Sequence, residues 1–121
     1  MPSRNLFPRL EDILANCELN QEYTREYSYD AFSNDRKCQD AVERCVTRIS
    51  EAASKLAGSI ESIIPGQPWS EIRAVGSVLR HEYDRVNPIL IWRIISEDLA
   101  PLKATIQSAL DRLRREFPDD L

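Results

Sequence analysis

Apolar residues recur at threes and fours along most of this chain, and that spacing, close to 3.6 residues, predicts four helical stretches. The first carries Leu6, Leu10, Ile13, Leu14 and Cys17, with Pro8 near its start, where a missing N–H costs little. It is expected to continue through Glu22 to Arg25. The aromatic, irregular segment from Tyr27 to Phe32 reads as a connection. The second stretch has the longest clear pattern: Cys38, Ala41, Val42, Cys45, Ile49, Ala52, Ala53 and Leu56. Ser33 or Asn34 is placed to cap it, because a short side-chain oxygen can accept from a free amide of the first turn. Gly58 and then Pro65-Gly66-Gln67-Pro68 break the pattern, the second as a clear loop.

The third stretch is expected over about Pro68 to Leu79, with Trp69, Ile72, Val75, Gly76 and Leu79 along one side. The fourth begins near Pro88, with Asn87 as its cap. Its stripe runs through Trp92, Ile95, Leu99, Leu102, Ile106, Leu110, Leu113 and Phe117. Pro101 should kink or split it, since proline removes a helical hydrogen bond. Pro118 and Asp119-Asp120 mark a frayed end. No strand-like alternation of useful length appears, and no internal repeat. Four or five amphipathic helices with one apolar stripe each are most simply satisfied by an all-α antiparallel bundle. With 121 residues the chain is read as a single domain over 1–121. More apolar stripe is present than a four-helix core needs, so a homodimer is expected to bury the excess.

Composition narrows the picture. Apolar residues make up 42% and charged residues 30%, the balance of a globular protein. No apolar run approaches the roughly 20 residues of a membrane span. The first residues lack a signal-peptide pattern, so a cytoplasmic location without membrane contact is expected. Cys17, Cys38 and Cys45 include no CxxC pair, and the chain has one histidine, so neither a metal site nor a cofactor is expected. The three thiols read as buried and reduced. A net charge of −4 argues against general, salt-driven nucleic-acid binding. A local exception is the stretch from Glu71 to Arg93, with Arg73, Arg80, Arg85 and Arg93 against Glu71, Glu82 and Asp84.

Within it, Arg80-His81-Glu82-Tyr83-Asp84-Arg85 holds the single histidine, two arginines and a tyrosine between the third and fourth helices. Histidine can give or take a proton near neutral pH. Arginine stays charged and can clamp a phosphate with two hydrogen bonds. That pair suits RNA cleavage: a base takes the 2′-hydroxyl proton, the oxygen attacks phosphorus, and a cation stabilises the crowded phosphate. These steps require no metal ion. The plain alternative is a surface histidine beside solvated arginines. Trp69 and Trp92 lie on apolar stripes and read as core.

Several blocks carry a family resemblance in order along the chain: Leu10-Glu11-Asp12-Ile13, Asp35-Arg36-Lys37 with Asp40-Ala41-Val42 and Arg44, and Ile49-Ser50-Glu51-Ala52-Ala53. Pro68-Trp69-Ser70-Glu71-Ile72-Arg73 follows, then His81 and Tyr83 as His-x-Tyr, Ile91-Trp92, and Asp98-Leu99-Ala100-Pro101-Leu102. Together they resemble the HepT branch of the HEPN superfamily over nearly the whole chain. The resemblance implies a dimeric HEPN helical bundle with an RNA-cutting cleft at the dimer interface. It further implies a toxin paired with a nucleotidyltransferase antitoxin that, in some pairs, transfers AMP to the motif tyrosine. The family motif places an arginine five residues before the histidine, often followed by asparagine; here those positions hold Gly76 and Ser77.

Two readings follow. In the first, the chain is a ribonuclease toxin with His81 and Arg80 catalytic, Arg73 and Arg85 binding substrate, and Tyr83 a polar group of the site or the target of AMPylation. In the second, it is a degenerate HEPN dimer that keeps its nucleotidyltransferase partner and does not cut RNA.

Overall fold

The computed structural model describes residues 6–81 and 86–118. These form α1 (Leu6–Thr24), α2 (Tyr29–Ser33), α3 (Arg36–Lys55), α4 (Ile60–Ile63), α5 (Trp69–His81), α6 (Pro88–Arg93) and α7 (Leu99–Glu116), with one π-helical turn over Ile94–Asp98 joining the last two. No strand occurs among the described residues, so the all-α bundle is as the periodicity predicts.

The main core lies between α1, α3 and α7. Leu6, Leu10, Ile13 and Cys17 of α1 are fully buried, and they meet Ala53 of α3 and Ile106 and Leu110 of α7 in one cluster. Each such aliphatic side chain removed from water contributes about 1.5–3 kcal/mol. Lys103 Nζ donates to Gln21 Oε1 at 3.2 Å, and Arg114 Nη2 reaches Glu11 Oε1 at 3.1 Å. The start of α7 therefore lies beside the end of α1, and the two helices run antiparallel.

A second cluster joins Phe32 of α2, Cys38, Val42 and Val46 of α3, Leu79 of α5 and Ile91 of α6. Trp69, at the other end of α5, packs in the first cluster with Leu56. Helix α5 thus runs antiparallel to α3, and its C-terminal end is held over the N-terminal half of α3. This arrangement fixes the place of Arg80 and His81.

Several expectations are refined. The segment read as a connection contains α2, capped by Ser28, whose Oγ accepts from the Ala31 amide at 3.1 Å. Asp35, rather than Ser33 or Asn34, caps α3: its Oδ1 accepts from the Cys38 amide at 3.0 Å. The hydroxyl of Ser33 and the amide of Asn34 instead bond back to the Asp30 carbonyl. Asn87 caps α6 as expected, accepting from the Ile89 amide at 2.9 Å. Pro101 falls in the first turn of α7, directly after the π turn. That turn shifts the hydrogen-bond ladder where proline cannot donate, so the long stripe is split without being interrupted.

The three cysteines are buried and unpaired, as expected. Burial pushes the Cys17 thiol up to about 12, so it stays protonated and inert. Trp69 is core, its Nε1 donating to the Ile64 carbonyl at 2.8 Å. Trp92 is half-buried and packs on Phe32 with ring centroids 5.3 Å apart.

Candidate active site

Helix α5 carries the candidate residues Arg73, Arg80 and His81, and it extends two residues beyond the expected end. The apolar stripe stops at Leu79, but Arg80 and His81 complete the last turn. The Arg80 charge is favoured there by the partial negative charge of the helix C-terminus. Both are therefore held by a helix rather than by the loop assigned to them from sequence. Both are exposed at the surface. Tyr83 and Arg85, with Glu82 and Asp84, lie outside the described residues.

The contact between α5 and α3 is unusually close at one point. Ser50 of α3 is fully buried, and its Oγ donates to the Arg73 carbonyl at 2.9 Å. One turn further along α5, Gly76 faces the same serine. A β-carbon built at Gly76 would overlap Ser50 Oγ, come 2.6 Å from Ser50 Cβ and stand 3.1 Å from Arg80 Nη1. Gly76 is thus the residue the helix crossing requires, and no longer side chain fits without displacing α3.

Arg80 lies one helical turn after Gly76 on the same face. Side chains on a helix lean toward its N-terminus, and the Arg80 guanidinium accordingly reaches back to the vicinity of Gly76. Its Nη1 stands 4.0 Å from Glu51 Oε1 across on α3, both side chains being about half exposed. The guanidinium is therefore near an anion yet accessible from solvent.

Arg73 is differently placed. Its Nη1 forms a 2.6 Å ion pair with Glu61 Oε1 of α4, and its side chain is only 25% exposed. The Glu61 carboxyl is held below the ordinary carboxylate range, first by a hydrogen bond from its own backbone amide and then by the Arg73 guanidinium. Arg73 ties α5 to the α4 segment. The substrate-binding role expected of it from sequence is not one this pairing favours.

A groove of about 400 Å³ on the described surface lies elsewhere. It lies between α5 and the α6–α7 junction over α3, with Ile49, Ile72, Val75 and Leu102 inside and Glu71, Arg93, Glu97 and Asp98 among its polar lining. Neither Arg80 nor His81 lines it. An apolar groove with more acid than base suits protein contact better than a phosphate chain.

Sequence reasoning assigned no role to Ser50 and Glu51, although both lie in the Ile49–Ala53 block. The available signal was Gly76 itself. An isolated glycine inside a helix costs about 1 kcal/mol relative to alanine and usually marks a packing reason.

Comparison with known proteins bears on this arrangement. Residues 13–109 match the family model described as ribonuclease HepT-like. A protein of Thermococcus cleftensis named "Probable ribonuclease HepT" is 34% identical over 98 residues, covering 81% of this chain and 89% of that one. One from Methanocaldococcus jannaschii, named "Putative RNase MJ1380", is 29% identical over 107 residues, or 88% and 98% of the two chains. One from Caldanaerobacter subterraneus, named "Putative RNase TTE0752", is 30% identical over 105 residues, or 87% and 94%. No solved structure gives a significant match.

Proposed function

The chain belongs to the ribonuclease HepT-like family, and from that premise we propose that it is a metal-independent endoribonuclease acting as the toxin of a toxin–antitoxin pair. The carrying observation is the position of Arg80: with Gly76 unable to bear a side chain, the Arg80 guanidinium comes to the space beside it. A cation is thereby supplied on the face of α5 where the family motif has its arginine, one turn displaced along the sequence.

In the proposed reaction His81 takes the proton of the 2′-hydroxyl. The 2′-oxygen attacks the neighbouring phosphorus, the bond to the 5′-oxygen breaks, and that oxygen takes up a proton. The products are a 2′,3′-cyclic phosphate and a free 5′-hydroxyl. Arg80 stabilises the charge that builds on the non-bridging oxygens; such a donor contributes a factor of roughly 10²–10³ in kcat. The two residues are consecutive on a helix, so their side chains diverge by about 100°. One chain therefore does not enclose a phosphate between them, and a cleft shared by two chains of a homodimer completes the site. Arg85 is assigned to substrate binding, and Tyr83 acts as a polar group of the site or as the target of a nucleotidyltransferase antitoxin.

Gly76 also favours a second reading, the catalytically degenerate dimer that binds its partner without cutting RNA. One assay separates the two: purified protein with a mixed-sequence RNA, followed for cyclic-phosphate ends, beside His81→Ala. Cleavage by the wild type and none by the variant supports the ribonuclease. No cleavage by either supports the degenerate dimer, and equal cleavage by both removes His81 from the mechanism.

A further inference from the structure

Three residues around Arg80 have no part in the reaction as written, yet they meet at one point. Ser50 is fully buried between α3 and α5 and bonds to the Arg73 carbonyl at 2.9 Å. Gly76 is buried against that serine. Glu51, the next residue of α3, presents its carboxylate 4.0 Å from Arg80 Nη1. The serine hydroxyl sets the height of α5 above α3. At that height the helices approach too closely for any β-carbon at position 76, so glycine is required there. Ser50 fills the space over the bare backbone, and the half-exposed Arg80 side chain lies along the edge of that contact. The Arg80 guanidinium comes 3.1 Å from the point where a β-carbon at 76 would stand.

We propose that Ser50, Gly76 and Glu51 form a guanidinium seat that holds Arg80 folded back along α5, which makes Ser50 and Glu51 positioning residues for the phosphate-contacting arginine. The inference rests on the ribonuclease reading for its catalytic consequence, but the seat itself is a matter of packing. An exposed ion pair at this separation contributes little to stability. The role of Glu51 is therefore orientation: one carboxylate beside the seat favours the folded-back rotamers of a long, otherwise free side chain. Preorganisation of this kind raises the rate without tighter substrate binding, because the arginine need not be ordered during the reaction.

The packing part is tested without RNA. Gly76→Ala should lower the melting temperature by about 4 °C or more. Ser50→Gly, which removes both atoms that the new methyl would strike, should lower it modestly by itself. The double variant Ser50→Gly/Gly76→Ala should melt well above the sum of the two losses. Strict additivity would overturn the interlock, and with it the seat.

The positioning part is tested by chemical rescue of full-length protein. Arg80→Ala leaves the seat empty, so millimolar guanidinium chloride should restore cleavage at least tenfold. In Arg80→Ala/Gly76→Ala/Ser50→Gly, which folds by the relief just described but carries a methyl 3.1 Å from the position of Arg80 Nη1, the same salt should restore little. Glu51→Gln should lower kcat about tenfold with KM nearly unchanged, and Glu51→Asp should recover part of it. Equal rescue in both Arg80→Ala backgrounds, or a Glu51→Gln effect confined to KM, would overturn the positioning role. If the wild type cuts no RNA, the ribonuclease reading fails and the positioning role with it, while the melting cycle still decides whether the seat exists.

Discussion

The Tyr27 hydroxyl donates to Asp35 Oδ2 at 2.6 Å while the other oxygen of the same carboxylate caps α3 through the Cys38 amide. One side chain thus starts the helix that carries Ser50 and Glu51 and ties it to the chain arriving from α1. The Tyr27 bond comes first among the causes that hold the Asp35 carboxyl below the ordinary range, and the Asp35 carboxylate pushes the Tyr27 phenol up to about 12.

A pH dependence follows from the signs of these shifts. The depressed carboxyl contributes stability that is present above the ordinary carboxylate range and is lost as pH falls through the Asp35 value in the fold. The raised phenol contributes stability that is present below about pH 10, the usual tyrosine value, and is lost as pH rises through about 12. Tyr27→Phe should therefore lower the urea midpoint at pH 7, and the gap to wild type should close at strongly acid pH. A gap unchanged down to pH 2 would show that the hydrogen bond contributes through packing alone.

Placing arginine at the family's motif position should harm this protein. Gly76→Arg puts a side chain where Ser50 already stands, and overpacking of a close helix contact costs typically about 1–3 kcal/mol. Denaturant unfolding should show a loss of at least that size with no gain in RNA cleavage. A variant as stable as wild type would mean that α5 shifts freely on α3.

The two arginines of α5 should respond differently. Arg80→Ala should reduce cleavage about 10²-fold or more, as for loss of a charge-stabilising donor, with the melting temperature nearly unchanged. Arg73→Ala should leave most of the activity and lower the melting temperature, since it leaves Glu61 without its 2.6 Å partner. The reverse pattern would move the phosphate contact to Arg73.

A homodimer is expected, because one chain does not complete the proposed cleft and because an apolar groove and the 59%-exposed Ile89 remain at the surface. Light scattering at micromolar concentration should give about twice the 13.9 kDa chain mass. A monomer would remove the shared cleft.

Tyr83, outside the described residues, is proposed as the regulatory position. Incubation with a nucleotidyltransferase partner and ATP should add one or more AMP groups, detected by mass, with loss of RNA cleavage as a bulky anion neutralises nearby arginines. An adduct that survives Tyr83→Phe would place the modification elsewhere.

The sequence determined what depends on local periodicity and composition. The four long helical stretches, the Asn87 cap, the break at Pro65–Pro68, the buried thiols and the all-α class follow from side-chain spacing and cap chemistry, which act within one or two turns. The family followed from ordered blocks that include His81 and Tyr83. What the sequence left open depends on distance across the fold. Asp35 outcompetes Ser33 and Asn34 as a cap because it alone bonds both the first turn and Tyr27, a contact made across eight residues. Spacing does not reveal the partners of the two arginines of α5: Arg73 is drawn to Glu61, and Arg80 comes near Gly76 and Glu51. The absent motif arginine left two readings open in the sequence, a relocated cation at Arg80 or a loss of activity. Only the packing of α5 on α3 showed that Ser50 excludes a side chain at position 76, because a clash between residues 26 positions apart exists only once two helices meet.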